Sequence, residues 1–413
     1  MADPRLERAR EHCFMGGVGD SGMSLCAANV PYGIAKIQAA QEQLGLPPDA
    51  TFVASPDATI TRNDARWNQG FGYGGMYAWT GDFHVLDIKA NACGMAVGAL
   101  PSLPSFDEVR ERLHRFEHEG MTIDGVTIDN DLDEPNHFVD VFTLAGDEQR
   151  EPAPAGARHF FIMHSSGHEH RGPTERGVGL YWDKSQELMR MARTIDTPWG
   201  TLRVLVGDAA HEWYGFYRRV QAFNHRRRER LAEVLFGEHR MLINATHQGL
   251  VRGLNVANIG CYTFDDATPE ADRLFPLTLS ATHPAFLVRG QRNLGEPAIE
   301  RMGWSDRVQR HGLADRLAST NILPHGGGYT YAGFRGVARV IENGPDDRLF
   351  ELAPADPTAP VELVRTPRQL KYAYRGLEVK ERMEELGFGT AVVKLDLDYV
   401  IKSSGGHGHG ANC

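Results

Sequence analysis

Short apolar runs bounded by turn-forming residues recur along the chain and predict β-strands. Two of them, "HFVDVFTLAG" (137–146) and "HFFIMHSSG" (159–167), are rich in Val and Phe and flank the Pro/Ala-rich segment 148–159. The prolines and glycine of that segment favour a loop. Each run finishes in small or polar residues, so side chains at its last positions are expected to lie at a strand end.

Two longer stretches have apolar residues at helical spacing with charged residues between them. The first, 105–120, starts with Ser105, a favoured N-cap residue, and stops at Gly120. The second, 212–240, carries the basic run Arg226–Arg230. That run is typical of a solvated helix face, and a local basic groove for phosphates is the alternative. Strands and helices alternate irregularly, which predicts an α+β fold rather than a regular Rossmann alternation.

The composition indicates a globular protein. Its 413 residues are 41% hydrophobic and 24% charged. The chain has no run of about 18 apolar residues that would predict a membrane span. The net charge of -10 argues against broad, sequence-blind binding of nucleic acid. The charged N-terminus and five cysteines without a paired pattern predict a cytoplasmic protein. We expect one domain over residues 1–402 and a flexible Gly/His-rich tail at 403–413.

Candidate chemistry lies in a few short stretches that end apolar runs. A cysteine or histidine stands in each of "NACGM", "PNHFVD", "IMHSSG" and "NATHQG": Cys93, His137, His164 and His247. Alone, such residues are commonly buried thiols or hydrogen-bonded histidines. Together they form a set of thiolate and imidazole ligands that suits Mn, Zn, Fe or Co. Their repeated position at strand ends predicts convergence on one metal site.

The stretch "NILPHGGGYTY" sets His325 directly before Gly326, Gly327 and Gly328. The histidine is either a further metal ligand or the nucleophile of a covalent mechanism. A neutral imidazole nitrogen attacks phosphorus readily when metal neutralises the leaving phosphates. The glycines would let backbone N–H groups face a phosphate. A Gly-rich turn that happens to follow a histidine is the structural alternative.

In order along the chain, these stretches resemble the motifs of the RtcB-type RNA-splicing ligases. "NACGM" is similar to the family's Asp-x-x-Cys-Gly motif, "PNHFVD" to Gly-Asn-His-Phe-x-Glu, and "IMHSSGHEHRG" to Val-His-Thr-Gly-Ser-Arg-Gly. "NATHQG" resembles the apolar-His-Asn segment, "HGGG" the His-Gly-Ala-Gly motif, and "DLDYVIKSS" the C-terminal segment with its lysine. "WNQGFGYGG" is similar to a Gly-rich stretch of the family. The resemblance spans residues 50–402, and ordered agreement of several motifs is more specific than any single motif.

The resemblance implies a GTP- and manganese-dependent ligase that joins RNA 2',3'-cyclic phosphate or 3'-phosphate ends to 5'-hydroxyl ends. It implies an RtcB-like mixed fold of packed sheets flanked by helices, with the metal site at strand ends, and an archaease-like activator as partner. His325 would be the nucleophile that takes GMP from GTP. The implied metal ligands are Cys93, His137, His164 and His247, and the implied nucleotide contacts are Asn136, Asp140, Gly326, Gly327, Gly328 and Lys402.

Several positions depart from the family's pattern. The metal-binding aspartate three residues before the cysteine is Ala90, which removes one ligand of a second metal site. Asp265 and Asp266 stand where the family has basic residues that would face phosphates, and such a charge reversal weakens anion binding. The Ser-Arg-Gly segment is replaced by one that adds His168 and His170. These departures suggest a changed substrate.

Three functions are compatible with these residues. The first is RNA end joining through a GMP adduct on His325, with Arg226–Arg228, Arg289 and Arg292 as candidate phosphate contacts. The second is nucleotidyl or phosphoryl chemistry at the same metal site on a substrate other than RNA. The third is a metal-binding protein without catalysis, in which His325 is only another ligand. An enzyme is favoured, because a purely structural metal site would need neither His325 nor Lys402.

Overall fold

The computed structural model describes residues 3–128, 130–132, 136–146 and 149–402. The α-helices in these ranges are α1 (Pro4–Glu11), α2 (Ser21–Gln43), α3 (Asp64–Asn68), α4 (Phe106–Glu119), α5 (Gln186–Met191), α6 (Asp208–Phe236), α7 (Glu296–Arg301), α8 (Ser305–His311), α9 (Ala314–Ala318) and α10 (Glu378–Glu385). Short 3-10 helices lie at Leu86–Ile88, Pro154–Gly156, Trp182–Lys184, Glu270–Asp272 and Pro367–Gln369.

The strands of the first half of the chain are β1 (Cys13–Phe14), β2 (Thr51–Thr59), β3 (Tyr73–Ala78), β4 (Phe83–Val85), β5 (Cys93–Leu100), β6 (Met121–Ile123), β7 (Val126–Ile128), β8 (Phe138–Leu144), β9 (His159–Ser165), β10 (Arg193–Thr197) and β11 (Gly200–Val206). Those of the second half are β12 (Arg240–Gly249), β13 (Val256–Ile259), β14 (Cys261–Phe264), β15 (Leu274–Leu277), β16 (Ala285–Gly290), β17 (Asn321–Pro324), β18 (Tyr329–Thr330), β19 (Phe334–Gly344), β20 (Asp347–Pro354), β21 (Glu362–Val364), β22 (Ala373–Tyr374) and β23 (Gly389–Ile401).

An eleven-stranded sheet in the described residues includes strands from both ends of the chain. Its order is β1-β2-β3-β13-β12-β5-β9-β8-β23-β16-β15. β1 and β2 are parallel, and every other neighbouring pair is antiparallel. The adjacent strands β12, β5, β9 and β8 therefore bring together segments that are far apart in sequence.

Helices α4 and α6 cover one face of this sheet. Val109 and Leu113 of α4 and Phe223 and Leu231 of α6 are buried in one apolar cluster with Phe161 of β9. Each such side chain contributes about 1.5–3 kcal/mol when it is fully withdrawn from water. α6 also contacts β5 and β12, so its inner face reaches the strands that carry candidate ligands.

The sheet curls, so on its opposite face side chains from strands that are not neighbours come into contact. Met95, Phe142 and Leu287 belong to one apolar cluster although they come from β5, β8 and β16. Thr278, just after β15, places its hydroxyl 3.9 Å from the Met95 sulfur. Because side chains alternate between faces along a strand, Cys93 shares the face of Met95. The candidate ligand of β5 therefore lies on the curled side of the sheet.

The structure confirms the mixed α+β class, with helices packed on sheets, and both predicted strands occur as β8 and β9. The helix predicted at 105–120 is α4. The helix predicted at 212–240 occurs as α6 but begins and ends four residues earlier. Its early end has a local cause, because Gly237 has a φ of +67° that stops the helix. An RtcB-like architecture and a single domain stay predictions. The tail at 403–413 lies outside the described residues.

The start of α4 depends on a capping box. The Ser105 hydroxyl accepts a hydrogen bond from the Glu108 backbone N–H at 3.2 Å, and the Glu108 carboxylate accepts one from the Ser105 backbone N–H at 3.1 Å. Ser105→Ala is expected to lower the free energy of unfolding by about 1 kcal/mol, because a backbone donor of the first turn loses its partner. Urea denaturation followed by circular dichroism measures this change. The exposed Ser102→Ala variant is the control, and equal stability of the two variants would contradict the prediction.

Candidate metal centre and active site

Cys93 and His164 meet on adjacent strands. Cys93 begins β5, and β9 pairs with β5 so that Gly94 lies opposite Ser165 and Met95 opposite His164. The Cys93 sulfur lies 3.1 Å from His164 Nε2. Both side chains are buried. Strand pairing thus brings together two residues that are 71 positions apart in the sequence.

His247 reaches this pair from β12 through a β-bulge. The register between β12 and β5 shifts between Thr246, opposite Gly94, and Gln248, opposite Cys93. A bulge re-aims a side chain, and the extra residue here is His247. Its ring is fully buried, and among the described residues neither ring nitrogen has a hydrogen-bond partner of good geometry. A buried imidazole in this state is costly without a ligand, and a metal ion would supply one.

His137 completes the group from the residue before β8. Its Nε2 lies 3.6 Å from the Cys93 sulfur, and its Nδ1 donates to the Asp131 carboxylate at 2.9 Å. Asp131 is held in turn by Arg227 at 2.9 Å and by the Ser166 backbone N–H at 2.8 Å. A carboxylate that accepts from one ring nitrogen orients the other toward a metal and raises its basicity. Asp131 therefore directs His137 Nε2 at the sulfur.

The electrostatics of this group favour an ionised thiol. Burial raises the pKa of Cys93, but attraction of the thiolate to the protonated forms of His164 and His247, together with hydrogen bonds from His137 and His164, outweighs burial and holds that pKa well below its ordinary value. Burial lowers the pKa of His247 to about 3 and also lowers the pKa of His164. Burial lowers the pKa of His137 too, but its hydrogen bonds with Asp131 and Cys93 prevail and raise it to about 10. A metal ion binds a thiolate and neutral imidazoles, so an ion bound here would displace the proton that His137 holds at Nε2.

These residues fit a transition-metal ion. With metal–sulfur and metal–nitrogen distances of about 2.3 and 2.0 Å, tetrahedral ligand atoms lie about 3.5 Å apart. The two sulfur–nitrogen distances, 3.1 and 3.6 Å, bracket that value. Ligand atoms of Cys93, His164 and His247 all lie within 4.8 Å of one another. Mn, Zn, Fe and Co all accept such a set.

A second group adjoins the first through His137. Ligand atoms of Asp131, His137 and His168 lie within 4.8 Å of one another. This carboxylate comes from the segment before β8 rather than from position 90, where the chain has alanine. However, the Arg227 guanidinium pairs with Asp131, and a cation bound there would be repelled by it. We therefore assign Asp131 the role of positioning His137.

His325 lies beside His247, with the two ring centroids 4.5 Å apart. It follows β17, and its Nδ1 donates to the Asp57 carboxylate at 2.7 Å. The same Asp57 oxygen accepts the backbone N–H groups of His325 at 3.1 Å and of Gly326 at 3.2 Å. Because a carboxylate only accepts, Nδ1 carries the hydrogen and Nε2 keeps a lone pair in the neutral ring. Nε2 is therefore available as a nucleophile or as a ligand.

The glycine run after this histidine has an internal packing role, and its contact with a phosphate stays a prediction. A Cβ on Gly327 would lie 2.6 Å from the Arg375 carbonyl oxygen. One on Gly328, whose φ is +66°, would lie 2.5 Å from the Asp57 carbonyl oxygen. The Gly326 N–H already donates to Asp57. Close approach of neighbouring backbone therefore explains the glycines at these positions.

The other predicted nucleotide contacts lie along β8 and its neighbour β23. Asn136 is exposed just before β8. Burial raises the pKa of Asp140 to about 8, and the charge of Lys402 at the end of β23 opposes that shift. Phe138, two residues from Asp140 on the same strand face, has its ring 5.5 Å from that of His164. Asp140 therefore lies on the strand face that carries the metal group, and Lys402 lies within its electrostatic range.

The interpretation of the basic run as a solvated helix face is wrong for its two central arginines. Arg227 and Arg228 are buried on the inner face of α6. Arg227 pairs with Asp131 at 2.9 Å and with Glu169 at 3.1 Å, and Arg228 donates to the Asn244 side chain at 2.7 Å. Helical spacing places both arginines on the same face of α6 as the buried Phe223 and Leu231. Arg227 holds Asp131, which positions His137, and both arginines are too deeply buried to contact an RNA phosphate.

The remaining predicted phosphate contacts are paired with carboxylates. The pairs are Arg226 with Asp124, Arg289 with Glu151, and Arg292 with Asp266. Asp265, the other acidic residue in the altered phosphate segment, pairs with Arg252 at 2.9 Å. These ion pairs reduce the positive charge that the arginines offer to a phosphate.

Two carboxylates of the centre, Asp57 and Asp131, were not among the predicted site residues. Asp57 lies in "VASPDAT", where every residue of β2 is buried. Asp57 is the single charged residue of this strand, and that is the available signal, because a buried carboxylate needs partners. Asp131 lies in an acidic segment, where nothing in the sequence separates it from its neighbours. Only the fold shows that it is 1% exposed and bonded to His137.

The sequence matches no known family model and no curated protein. Among the described helices, none has the length and apolar character needed to cross a membrane.

Proposed function

We propose that this chain is a metal-dependent RNA ligase that joins 2',3'-cyclic phosphate or 3'-phosphate ends to 5'-hydroxyl ends through a GMP adduct on His325. The supporting observation is that His325, oriented by Asp57, adjoins a buried thiolate–imidazole group. His325 and the residues of this group are all buried. A carboxylate-oriented histidine in that place serves as a nucleophile or as a further ligand, and the metal content of His325→Ala distinguishes the two roles.

In the proposed reaction, Nε2 of His325 attacks the α-phosphorus of GTP. A nitrogen–phosphorus bond forms, the bond from phosphorus to the bridging oxygen breaks, and pyrophosphate leaves with the electron pair. Nδ1–H stays on the ring, where the Asp57 carboxylate stabilises the developing positive charge. Cys93, His137 and His164, with His247, would hold the ion. When bound, the metal neutralises phosphate charge and orients the leaving group.

A second candidate keeps this centre but uses a substrate other than RNA. The supporting observation is that the arginines expected to contact RNA are buried or paired with carboxylates. A small phosphorylated metabolite would need fewer phosphate contacts than a polynucleotide. The two candidates share the GMP adduct and differ in the acceptor. Transfer from the adduct to an RNA end, followed on a denaturing gel, separates them.

Incubation of the protein with GTP and Mn is expected to add one GMP, about 345 Da, to the intact mass. The gain should require metal, and ATP should not replace GTP. Intact-protein mass spectrometry measures the gain, with metal-free protein as the control. No gain with any nucleotide and any of the four metals would refute both nucleotidyl candidates and leave a metal-binding protein.

A further inference from the structure

A fully buried tyrosine beside the metal group has an unsatisfied hydroxyl. Tyr262 lies in β14 and is 1% exposed, and among the described residues no group forms a hydrogen bond with its hydroxyl. Tyr32, which is equally buried in α2, donates its hydroxyl hydrogen to the Glu342 carboxylate at 2.9 Å. A buried hydroxyl without a partner is costly, so Tyr262 indicates that a further group binds at this place.

The ring of Tyr262 adjoins a histidine with the same deficiency. Its centroid lies 5.8 Å from that of His247 in an edge-to-face arrangement. It also stacks on Phe275, with the centroids 4.9 Å apart, so aromatic neighbours fix the position of the ring. Within the described part of the chain, neither ring nitrogen of His247 has a hydrogen-bond partner. One bound ion with its own ligand would satisfy polar atoms of both rings.

The Tyr262 hydroxyl is a neutral donor within electrostatic range of the whole centre. Burial raises the pKa of Tyr262 well above its ordinary value, and the negative charges of Cys93 and Asp57 add to that shift. The positive charge of Arg228 opposes the shift without reversing it. A tyrosine in this state keeps its proton at neutral pH and donates a hydrogen bond. Because Cys93 belongs to the metal group and Asp57 orients His325, the hydroxyl lies near both parts of the centre.

We propose that Tyr262 is a positioning residue of the metal centre, and that its hydroxyl donates a hydrogen bond to an oxygen ligand of the bound ion. This inference rests on the metal binding of the proposed function. Cys93, His164 and His247 supply three ligand atoms, and catalytic ions keep a further position for an oxygen of water or substrate. An ion that also binds His137 keeps such a position when it takes five ligands. A hydrogen bond from outside the ligand set fixes that oxygen and strengthens metal binding.

The test compares Tyr262→Phe, which keeps the ring and removes the hydroxyl, with the unaltered protein, and Co(II) is the probe. The variant is expected to bind Co(II) roughly tenfold more weakly, because it loses a partner of the ion's oxygen ligand. Without metal, the variant should be as stable to urea as the unaltered protein or more stable, because an unpartnered hydroxyl has been removed. Isothermal titration calorimetry measures the affinity, and circular dichroism follows the urea denaturation.

Tyr32→Phe is the matched control, because it removes a buried hydroxyl that has a partner in the protein, Glu342. It should lower the stability of the metal-free protein and leave the Co(II) affinity unchanged. Titrations of Tyr262→Phe in phosphate-free buffer and with added inorganic phosphate separate a water oxygen from a phosphate oxygen as acceptor. Weaker binding under either condition supports the proposal.

Unchanged Co(II) affinity of Tyr262→Phe in both buffers would overturn the proposal. A loss of metal-free stability like that of Tyr32→Phe would also overturn it, because the hydroxyl would then have a partner without the ion. If the unaltered chain bound no Co(II), the metal centre of the proposed function would fail together with this inference. The GMP adduct of the unaltered chain is measured separately, so failure of the nucleotidyl step is distinguished from failure of the role of Tyr262.

Discussion

Replacing His325 with alanine is expected to abolish the covalent GMP adduct while the metal content stays at the wild-type level. The expected loss is roughly 10³-fold or more, because no other side chain can take the place of the attacking nitrogen. Metal retention is expected because Cys93, His164 and His247 form a group without it. Intact mass after incubation with GTP and Mn reports the adduct, and elemental analysis of the dialysed protein reports the metal.

Asp57→Asn is the matched variant for this prediction. It leaves the His325 ring in place but removes the carboxylate that accepts from Nδ1 at 2.7 Å. We expect slower adduct formation, by more than tenfold, since the ring loses its fixed tautomer and the partner of its developing charge. A normal adduct in His325→Ala would show that another residue is the nucleophile. Loss of metal in that variant would instead make His325 a ligand and favour the non-catalytic function.

The fold could be predicted to the level of class because the periodicities are local. Short apolar runs bounded by polar or turn-forming residues define β8 and β9, and Ser105 with Glu108 defines the start of α4. The order of the eleven-stranded sheet is not local. It depends on pairing across long intervening segments, such as β12 against β5, and no short stretch of sequence encodes that choice.

For the candidate site, the sequence indicates which cysteine and histidines are candidate ligands but not how their side chains are oriented. Histidines at the ends of apolar runs lie beside Cys93 because β5, β9 and β12 are adjacent strands, and their role as ligands stays a prediction. The direction of the His247 side chain depends on a β-bulge in β12, which the hydrophobic pattern of the sequence does not reveal. A basic run is usually exposed, but Arg227 and Arg228 are buried. Burial of Arg227 is possible because Asp131 and Glu169 compensate its charge inside the fold.

Two buried carboxylates fix the orientation of histidine rings in the centre. Asp57 fixes the His325 ring, and Asp131 fixes the His137 ring. In both cases Nδ1 donates to a buried carboxylate, and Nε2 is the nitrogen that does not take part in this bond. Two histidines with different expected roles are thus oriented by the same interaction, a hydrogen bond from Nδ1 to a carboxylate. The orientation of an attacking nitrogen and of a metal ligand has the same physical requirement, a single tautomer in a single position.

Replacing Cys93 with alanine is expected to lower metal affinity by at least tenfold and to remove the sulfur-to-metal charge-transfer absorption of the Co(II)-loaded protein. Cys93 is the single anionic ligand among the four predicted ones, and its sulfur lies within 3.6 Å of both His137 Nε2 and His164 Nε2. Without it, the positive charge of a buried ion is poorly compensated. Metal content after dialysis and the visible spectrum with Co(II) measure the effect.

Cys26→Ala is the matched control, because Cys26 is also fully buried but lies in the apolar core, where burial raises its pKa to about 12. Its loss should cost stability through a small cavity and leave metal binding unchanged. Circular dichroism of both variants separates a folding defect from a ligand defect. If folded Cys93→Ala kept full metal content, the ion would have to bind elsewhere. The adduct chemistry of His325 would then lose its proposed electrostatic support, whatever the state of the other three ligands.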